Sequence, residues 1–398
     1  MLISKVDLRY LAKMFKRREI EKHIEANLFK DKVILLFGAR RTGKTTLVQR
    51  ILDNHSSDKK IKYWSCEDFE IRKLVETTNF ESLRKTFSPY DLVVLDEAQS
   101  VENIGLVLKI IHDHIPKTQV IATGSSSFDL LNKVGEPLVG RSRTYNLYPF
   151  SLSELGMDFI QLNSNLEHFL RFGFYPTVAG KSEKEASEEL IEIKNGYLYK
   201  DILAIEGIKN SKILINLLIA LALQIGSEVS YNELASNLCI SVTTVQKYID
   251  LLEKCFIIFV LPAFSRNLRK EVGLKSRKIY FCDIGIRNAI INSFFKINMR
   301  ADVGGLWENF CIVELMKKAS NARNFSNNYF WRTYDQQEID FIQEYDGLLH
   351  AFEFKYSSKQ KVKIPKIFAD TYPNEFNCIN RENFQNYLLS KTSEDVSD

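Results

Sequence analysis

In the run "VILLFGARRTGKTTLVQRIL", two glycines, a lysine and a threonine fall at the spacing GxxxxGK[ST], as Gly38-Ala39-Arg40-Arg41-Thr42-Gly43-Lys44-Thr45. Glycines at those places let successive backbone N–H groups wrap an anion, and the helix N-terminus behind them adds favourable potential. The run begins as an apolar strand and ends as a helix, the context in which this loop cradles phosphates. Lys44 is then placed to reach β- and γ-phosphates and Thr45 to ligate Mg²⁺. The cradle expected for ATP extends from Gly38 to Thr46. Arg40 and Arg41 lie inside it, where side chains point outward.

A second apolar run, "DLVVLDEAQS", ends in Asp96-Glu97. Asp96 is expected to hold Mg²⁺ through its water shell, and Glu97 to orient or deprotonate an attacking water. The next strand, "QVIATGSSS", ends in hydroxyl residues at the same sheet edge. Thr123 or Ser125 there is a candidate γ-phosphate sensor, whereas Ser126 and Ser127 read equally well as turn caps. Arg141 or Arg143, in "GRSRTYNLYPF", is a candidate arginine finger, in cis or toward a neighbouring subunit. His112 and His114 stand at i,i+2, on different helix sides, and read as a solvated helix end.

These residues need a scaffold, and the chain alternates suitably to supply one. Between positions 32 and 150, short β-rich runs alternate with helix-like stretches, which argues for a three-layer α/β domain with a largely parallel sheet. A helical segment of about 1–31 precedes it. A helical lid or linker over 151–214 follows, then a winged helix-turn-helix over 215–285, an α+β domain over 286–390 and a frayed tail over 391–398. The chain has 398 residues, 45% hydrophobic, with a net charge of only +4, so it is neither disordered nor obviously polyanion-binding. Six scattered cysteines show no zinc spacing and suit a reducing cytoplasm. "ILINLLIALALQIG" is too short to span a membrane, so no membrane partner is expected.

In the winged-helix region, Ser230 and Ser241 are the expected N-caps of "YNELASNL" and "VTTVQKYIDLLEKC". Leu234, Ala235, Leu238, Val245, Ile249 and Leu252 recur at helical spacing as its core. In a DNA-binding version Thr243, Thr244, Gln246 and Lys247 face the major groove. Arg266, Arg269, Lys270 and Lys275 contact phosphates. A protein-contact role fits the same pattern, because the second helix is not strongly basic.

Farther on, "EIDFIQEYDGLLHAFEFKY" carries Asp346-Gly347 between alternating apolar runs, a hairpin signal. Counting outward from that turn sets Tyr345 opposite Leu348, Asp340 opposite Glu353, and Glu338 opposite Lys355. Carboxylates facing across a ladder repel unless a cation relieves them, and a shared Mg²⁺ is one such cation.

The strings "GARRTGKTTL", "LDEAQ", "ATGSSS", "GRSRTYNLYPFSLSEL" and "FGFYPTV" resemble the single-chain AAA-superfamily ATPases of bacteria and archaea, across nearly the whole chain. That resemblance implies ATP as ligand, an ATPase core, and a C-terminal half combining a winged helix with a nuclease-like domain. Helix, strand and hairpin with Asp and Glu-x-Lys also resemble the PD-(D/E)xK nuclease core, which implies a site of Glu308, Asp340, Glu353 and Lys355. The expected fold class is α/β: a P-loop NTPase (AAA-type) domain with helical lid, winged helix and α+β restriction-endonuclease-like C-terminal domain. "TGKT" with "DEAQ" is also similar to superfamily 2 helicases, but the chain turns helical after Ser151 where a second RecA-like domain is required. The expected function is an ATPase coupled to a module that engages DNA. An ATP-gated Mg²⁺-dependent nuclease and a non-catalytic switch acting on a protein partner or homo-oligomer are the alternatives.

Overall fold

A computed structural model describes residues 17–125, 138–196, 211–266, 276–360 and 362–389. The chain divides into two compact units, Arg17–Pro149 with Lys254–Phe256, and Phe150–Glu253 with Ile257 onward.

In the first unit the five runs read as strands form β1 (Val33–Phe37), β2 (Ile61–Ser65), β3 (Leu92–Asp96), β4 (Gln119–Gly124) and β5 (Ser142–Asn146). They make one sheet in the order β2-β3-β4-β1-β5, with every pairing parallel. The central strands are buried on both faces, as a sheet covered by helices requires. Alternate residues serve opposite cores. Ile34, Leu36, Val94 and Ile121 pack against helix α2 (Lys44–His55), while Val33, Leu35, Val93, Leu95 and Val120 pack on the other face against α4 (Phe80–Phe87) and α5 (Ile104–His114). Each such aliphatic side chain contributes about 1.5–3 kcal/mol by leaving water. The first helix, α1 (Glu21–Glu25), joins this unit through Ile20, Ile24 and Leu28, so residues from 17 onward are part of the sheet domain rather than a separate segment. A further helix, α3 (Phe69–Val75), is capped by the Asp68 side chain.

The second unit opens with α6 (Phe159–Phe172) and α7 (Glu183–Ile193), each started by a capping box, Asp158 with Gln161 and Ser182 with Glu185. The apolar run "ILINLLIALALQIG" begins in α8 (Ser211–Leu223) and buries Leu214, Leu217, Leu218 and Leu221. No described helix is long and apolar enough to cross a membrane. Helices α9 (Tyr231–Leu238) and α10 (Val242–Lys254) follow, with Ser230 and Ser241 at the expected caps. Antiparallel β6 (Ile258–Pro262) and β7 (Arg277–Phe281) come next.

After α11 (Ile284–Ile290) and the long α12 (Val303–Asn321), a sheet ordered β11-β10-β9-β8 completes the unit. Its strands are β8 (Asn327–Arg332), β9 (Glu338–Tyr345), β10 (Leu348–Phe354) and β11 (Asn374–Ile379). Short helices α13 (Lys366–Thr371) and α14 (Phe384–Leu388) flank β11. Asp346 and Gly347 both take positive φ, 52° and 76°, as a two-residue turn matching strand twist demands. The ladder then runs from Tyr345–Leu348 to Phe341–Phe352, the register counted from the turn. One apolar core runs from Leu152 through α6, β6, β7 and α12 to Leu388, so the β6–β7 strands and the α+β part share an interior. Phe264 N–H donates to Phe330 O at 2.6 Å, carrying the β6 chain onto β8.

Candidate functional site: a phosphate loop and a buried charge cluster

The phosphate loop leaves the end of β1, and α2 begins at Lys44. Gly43 takes φ 94°, a left-handed conformation that side chains disfavour. Gly38 is required for a different reason: a Cβ there would sit 2.2 Å from the Leu147 carbonyl oxygen. Thr42 Oγ1 donates to Ala39 O at 2.8 Å and closes the loop on itself. Lys44 Nζ donates to Gly38 O (2.8 Å) and Ala39 O (3.1 Å), carbonyls that stand in for the phosphate oxygens. Burial lowers its pKa to about 8, against the pull of Glu97 and Asp96. Thr45 and Thr46, in the first turn, are exposed.

β3 is hydrogen-bonded to β4, next to β1, and this brings Asp96 to the loop. Thr45 Oγ1 donates to Asp96 Oδ2 at 2.9 Å, so the hydroxyl and carboxylate expected to hold Mg²⁺ already face each other and fit that ion. Asp96 Oδ1 accepts from Thr123 Oγ1, and Oδ2 also accepts from Tyr63 Oη at 2.5 Å. Tyr63, on β2, has its pKa raised by burial and by this bond. Glu97 stands in left-handed backbone (φ 52°) and donates its N–H to Thr123 Oγ1 at 3.1 Å. Gln99 Nε2 donates to Glu97 Oε2 and, at 3.1 Å, to Ser125 Oγ. Lys44, Thr45, Asp96, Glu97, Thr123 and Ser125 are therefore tied into one edge of the sheet. Ser126 and Ser127 lie outside the described residues.

The arginines fall elsewhere. Arg40 is half-buried and 3.7 Å from Glu67, and Arg41 is exposed at φ 62°. Arg141 lies away from its own loop. Its carbonyl accepts from Val33 N–H at the start of β1, the sheet edge opposite the loop. Its Nε donates to Asp113 Oδ1 at 2.8 Å, and hydrogen bonds from Arg141 and His112 lower the Asp113 pKa to about 2. Arg143 pairs with Ile34 in the same half of the sheet. His112 bonds Asp113 and the Asp31 carbonyl.

Besides Gln99, two residues at the loop were not singled out from sequence. One is Tyr63. The other is Arg18, whose guanidinium donates to Thr42 O at 2.8 Å and Tyr148 O at 2.6 Å. No motif marks either; both are distant in sequence from the groups they hold.

In the second unit, the hairpin and α12 bring Glu308, Asp340, Glu353 and Lys355 into one neighbourhood. Lys355 Nζ lies 2.6 Å from Glu353 Oε1 and 3.9 Å from Asp340 Oδ2, and Phe354 N–H donates to Asp340 Oδ2 at 2.8 Å. A further cation, Lys278 on β7, enters the cluster. Its side chain is 3% exposed, and Nζ lies 2.9 Å from Glu308 Oε1 and 2.5 Å from Glu338 Oε1. Burial opposes that charge, but Glu308, Glu338 and Asp340 outweigh it and raise the Lys278 pKa. Burial raises Glu308 to about 7 despite Lys278, and raises Asp340 and Glu353 as well. Tyr280 Oη donates to Glu308 Oε1 at 2.5 Å.

The expected Glu338–Lys355 facing pair is replaced by two others. Glu338 meets Lys278 and pairs with Arg332 of β8, while Lys355 turns to Glu353. Among the described residues no three His, Cys, Asp or Glu side chains converge to hold a metal. The cluster sets two lysine ammoniums, Lys278 and Lys355, among Glu308, Glu338, Asp340 and Glu353.

On α10, Thr243 and Thr244 hydroxyls hydrogen-bond the Ser241 cap at 2.7 and 2.8 Å. Lys247 is exposed beside Gln246, but exposed Asp250 and Glu253 balance Lys247 and Lys254 on that helix. Arg266 is paired with Glu344. Arg269, Lys270 and Lys275 lie outside the described residues.

Residues 30–156 match the family model described as an AAA domain. Residues 163–296 and 303–397 match two domains of unknown function, DUF8612 and DUF4143. An uncharacterized protein of Mycobacterium tuberculosis is 25% identical over 366 residues, 90% of this chain and 78% of that one. An uncharacterized protein of Methanocaldococcus jannaschii is 26% identical over 365 residues, 86% and 78% of the two chains. A solved Walker-type ATPase of Pyrococcus abyssi aligns at 16% identity with a TM-score of 0.49, covering 70% of this chain and 96% of that one. By the family match, residues 30–156 are an AAA-type P-loop ATPase-like domain, and the other two matched segments are similar to domains of unknown function.

Proposed function

We propose that the chain is an ATP-hydrolysing switch, in which a P-loop engine acts on a second, recognition unit. The observation that carries the ATPase reading is the Thr45–Asp96 contact beside Lys44 at the N-terminus of α2. Thr45 and Asp96 would hold Mg²⁺, which supplies charge neutralisation at the transferred phosphoryl group. Lys44 exchanges its two loop carbonyls for phosphate oxygens. Glu97, held by Gln99, orients the water, and Thr123 and Ser125 register the outermost phosphate from the neighbouring strand. ATP turnover with Mg²⁺ is the test. Lys44→Ala is expected to abolish it, and a variant that still turns over ATP would refute the assignment.

For the second unit, the helix-turn-helix with its two-stranded hairpin is read as a winged helix, and the α12–β8–β9–β10 order as a nuclease-like fold. Lys278 favours the non-catalytic switch over the Mg²⁺-dependent nuclease, because it already neutralises Glu308, one of the four residues of the expected site. Incubation with Mg²⁺ and single- and double-stranded DNA and RNA, with and without ATP, is expected to leave every substrate intact. Cleavage abolished by Asp340→Ala would instead establish the nuclease. Duplex DNA is the first partner class to test, through its effect on ATP turnover. Stimulation would assign the winged helix to DNA, and an unchanged rate would count against duplex DNA as its partner.

A further inference from the structure

We propose that Arg18 is a positioning residue that links the phosphate loop to the segment leading out of the nucleotide unit, so that the loop's state passes to that segment. The inference rests on reading the loop as the ATP site. Arg18 is 7% exposed, and its two terminal nitrogens serve different masters: Nη1 donates to Thr42 O at 2.8 Å and Nη2 to Tyr148 O at 2.6 Å. Thr42 ends the loop and closes it through Oγ1 on Ala39 O. The same outgoing segment grips the loop's beginning. Leu147 N–H donates to Phe37 O at 2.7 Å, and the Leu147 carbonyl lies so close to Gly38 that no Cβ fits. Residues 147–148 thus touch the loop directly at its start and through one guanidinium at its end. The second unit begins two residues later, at Phe150.

Phosphate entry must disturb this bracket. Lys44 has to release the Gly38 and Ala39 carbonyls, and Ala39 O is the acceptor on which Thr42 closes the loop. A movement of Thr42 is felt at Tyr148 because a guanidinium is planar and its two donors keep a fixed spacing. A lysine at this place reaches one carbonyl, not both. Arg18→Lys therefore separates local support of the loop from transmission, whereas Arg18→Gln removes both.

The test uses the full chain, with nucleotide affinity measured by binding of a fluorescent ATP analogue. Amide hydrogen exchange over residues 146–150 is then followed with and without saturating Mg²⁺ and a non-hydrolysable ATP. The wild-type chain is expected to change its exchange in this segment on nucleotide binding. Arg18→Lys is expected to bind within about fivefold of wild type yet lose that response, and Arg18→Gln to bind about tenfold or more weakly and also lose it. An exchange response that survives in Arg18→Lys, or none in a saturated wild-type chain, overturns the link alone. Absence of nucleotide binding by the wild-type chain overturns the ATP reading and the link together.

Discussion

Both carboxylate oxygens of Asp96 accept hydroxyl protons, from Thr123 on one side and from Thr45 and Tyr63 on the other. Charge-assisted bonds of this kind fix a carboxylate before any ion arrives. Glu97 is held differently, by the single side-chain amide of Gln99, which also reaches Ser125. Gln99 therefore fixes the carboxylate that positions water in the proposed ATPase. Gln99→Ala is expected to lower kcat about tenfold or more while leaving KM for ATP within about twofold. Steady-state kinetics decides this, since a raised KM at constant kcat would move Gln99 into binding. The motif residues were legible because their spacing encodes a local turn and strand ends. Arg18, Tyr63 and Gln99 act across the fold or beside the motif, where spacing carries no signal.

Elements were read more securely than their partners. Five apolar runs gave five parallel strands, and Asp346-Gly347 set the hairpin register, because turn chemistry and periodicity are local properties. What a strand's charged residues meet is not local: Glu338 took Lys278 instead of Lys355. The junction between α11 and α12 shows the same rule. Arg287, 1% exposed, and Arg300 both bond Asp302, which lies just before α12, and Arg287 also holds the Ala222 carbonyl in the last turn of α8. Burial works against the Asp302 charge, but the two arginines win and lower its pKa to about 2. The unfolded value is higher, so this stabilisation is present above about pH 4 and is lost as pH falls toward 2. Asp302→Asn is expected to cost about 1–2 kcal/mol at pH 7, after discounting for partial exposure. Urea unfolding of both proteins should show the gap closing as pH falls from 4. A gap that persists at low pH would mean the loss is packing rather than charge.

At the scale of the molecule, Lys278 decides whether the second unit behaves as one body. It belongs to the β6–β7 hairpin, yet its ammonium is bound by Glu308 of α12 and Glu338 of β9. Sequence gave it no special standing, since "RKIYFCD" reads only as a strand with a basic start. A buried pair is weak evidence of net stability, but removing one partner leaves an uncompensated charge. Lys278→Met is therefore expected to destabilise the unit by about 3–5 kcal/mol. Lys278→Met with Glu308→Gln removes both charges from that contact and should recover much of the loss, since Glu338 keeps Arg332 nearby at 3.8 Å. Unfolding followed by the fluorescence of Trp307 and Trp331, both buried in this unit, measures the two variants. If the double variant is no more stable than the single one, Lys278 matters through its packing against Phe330 rather than as the cation that joins the hairpin to the α+β fold.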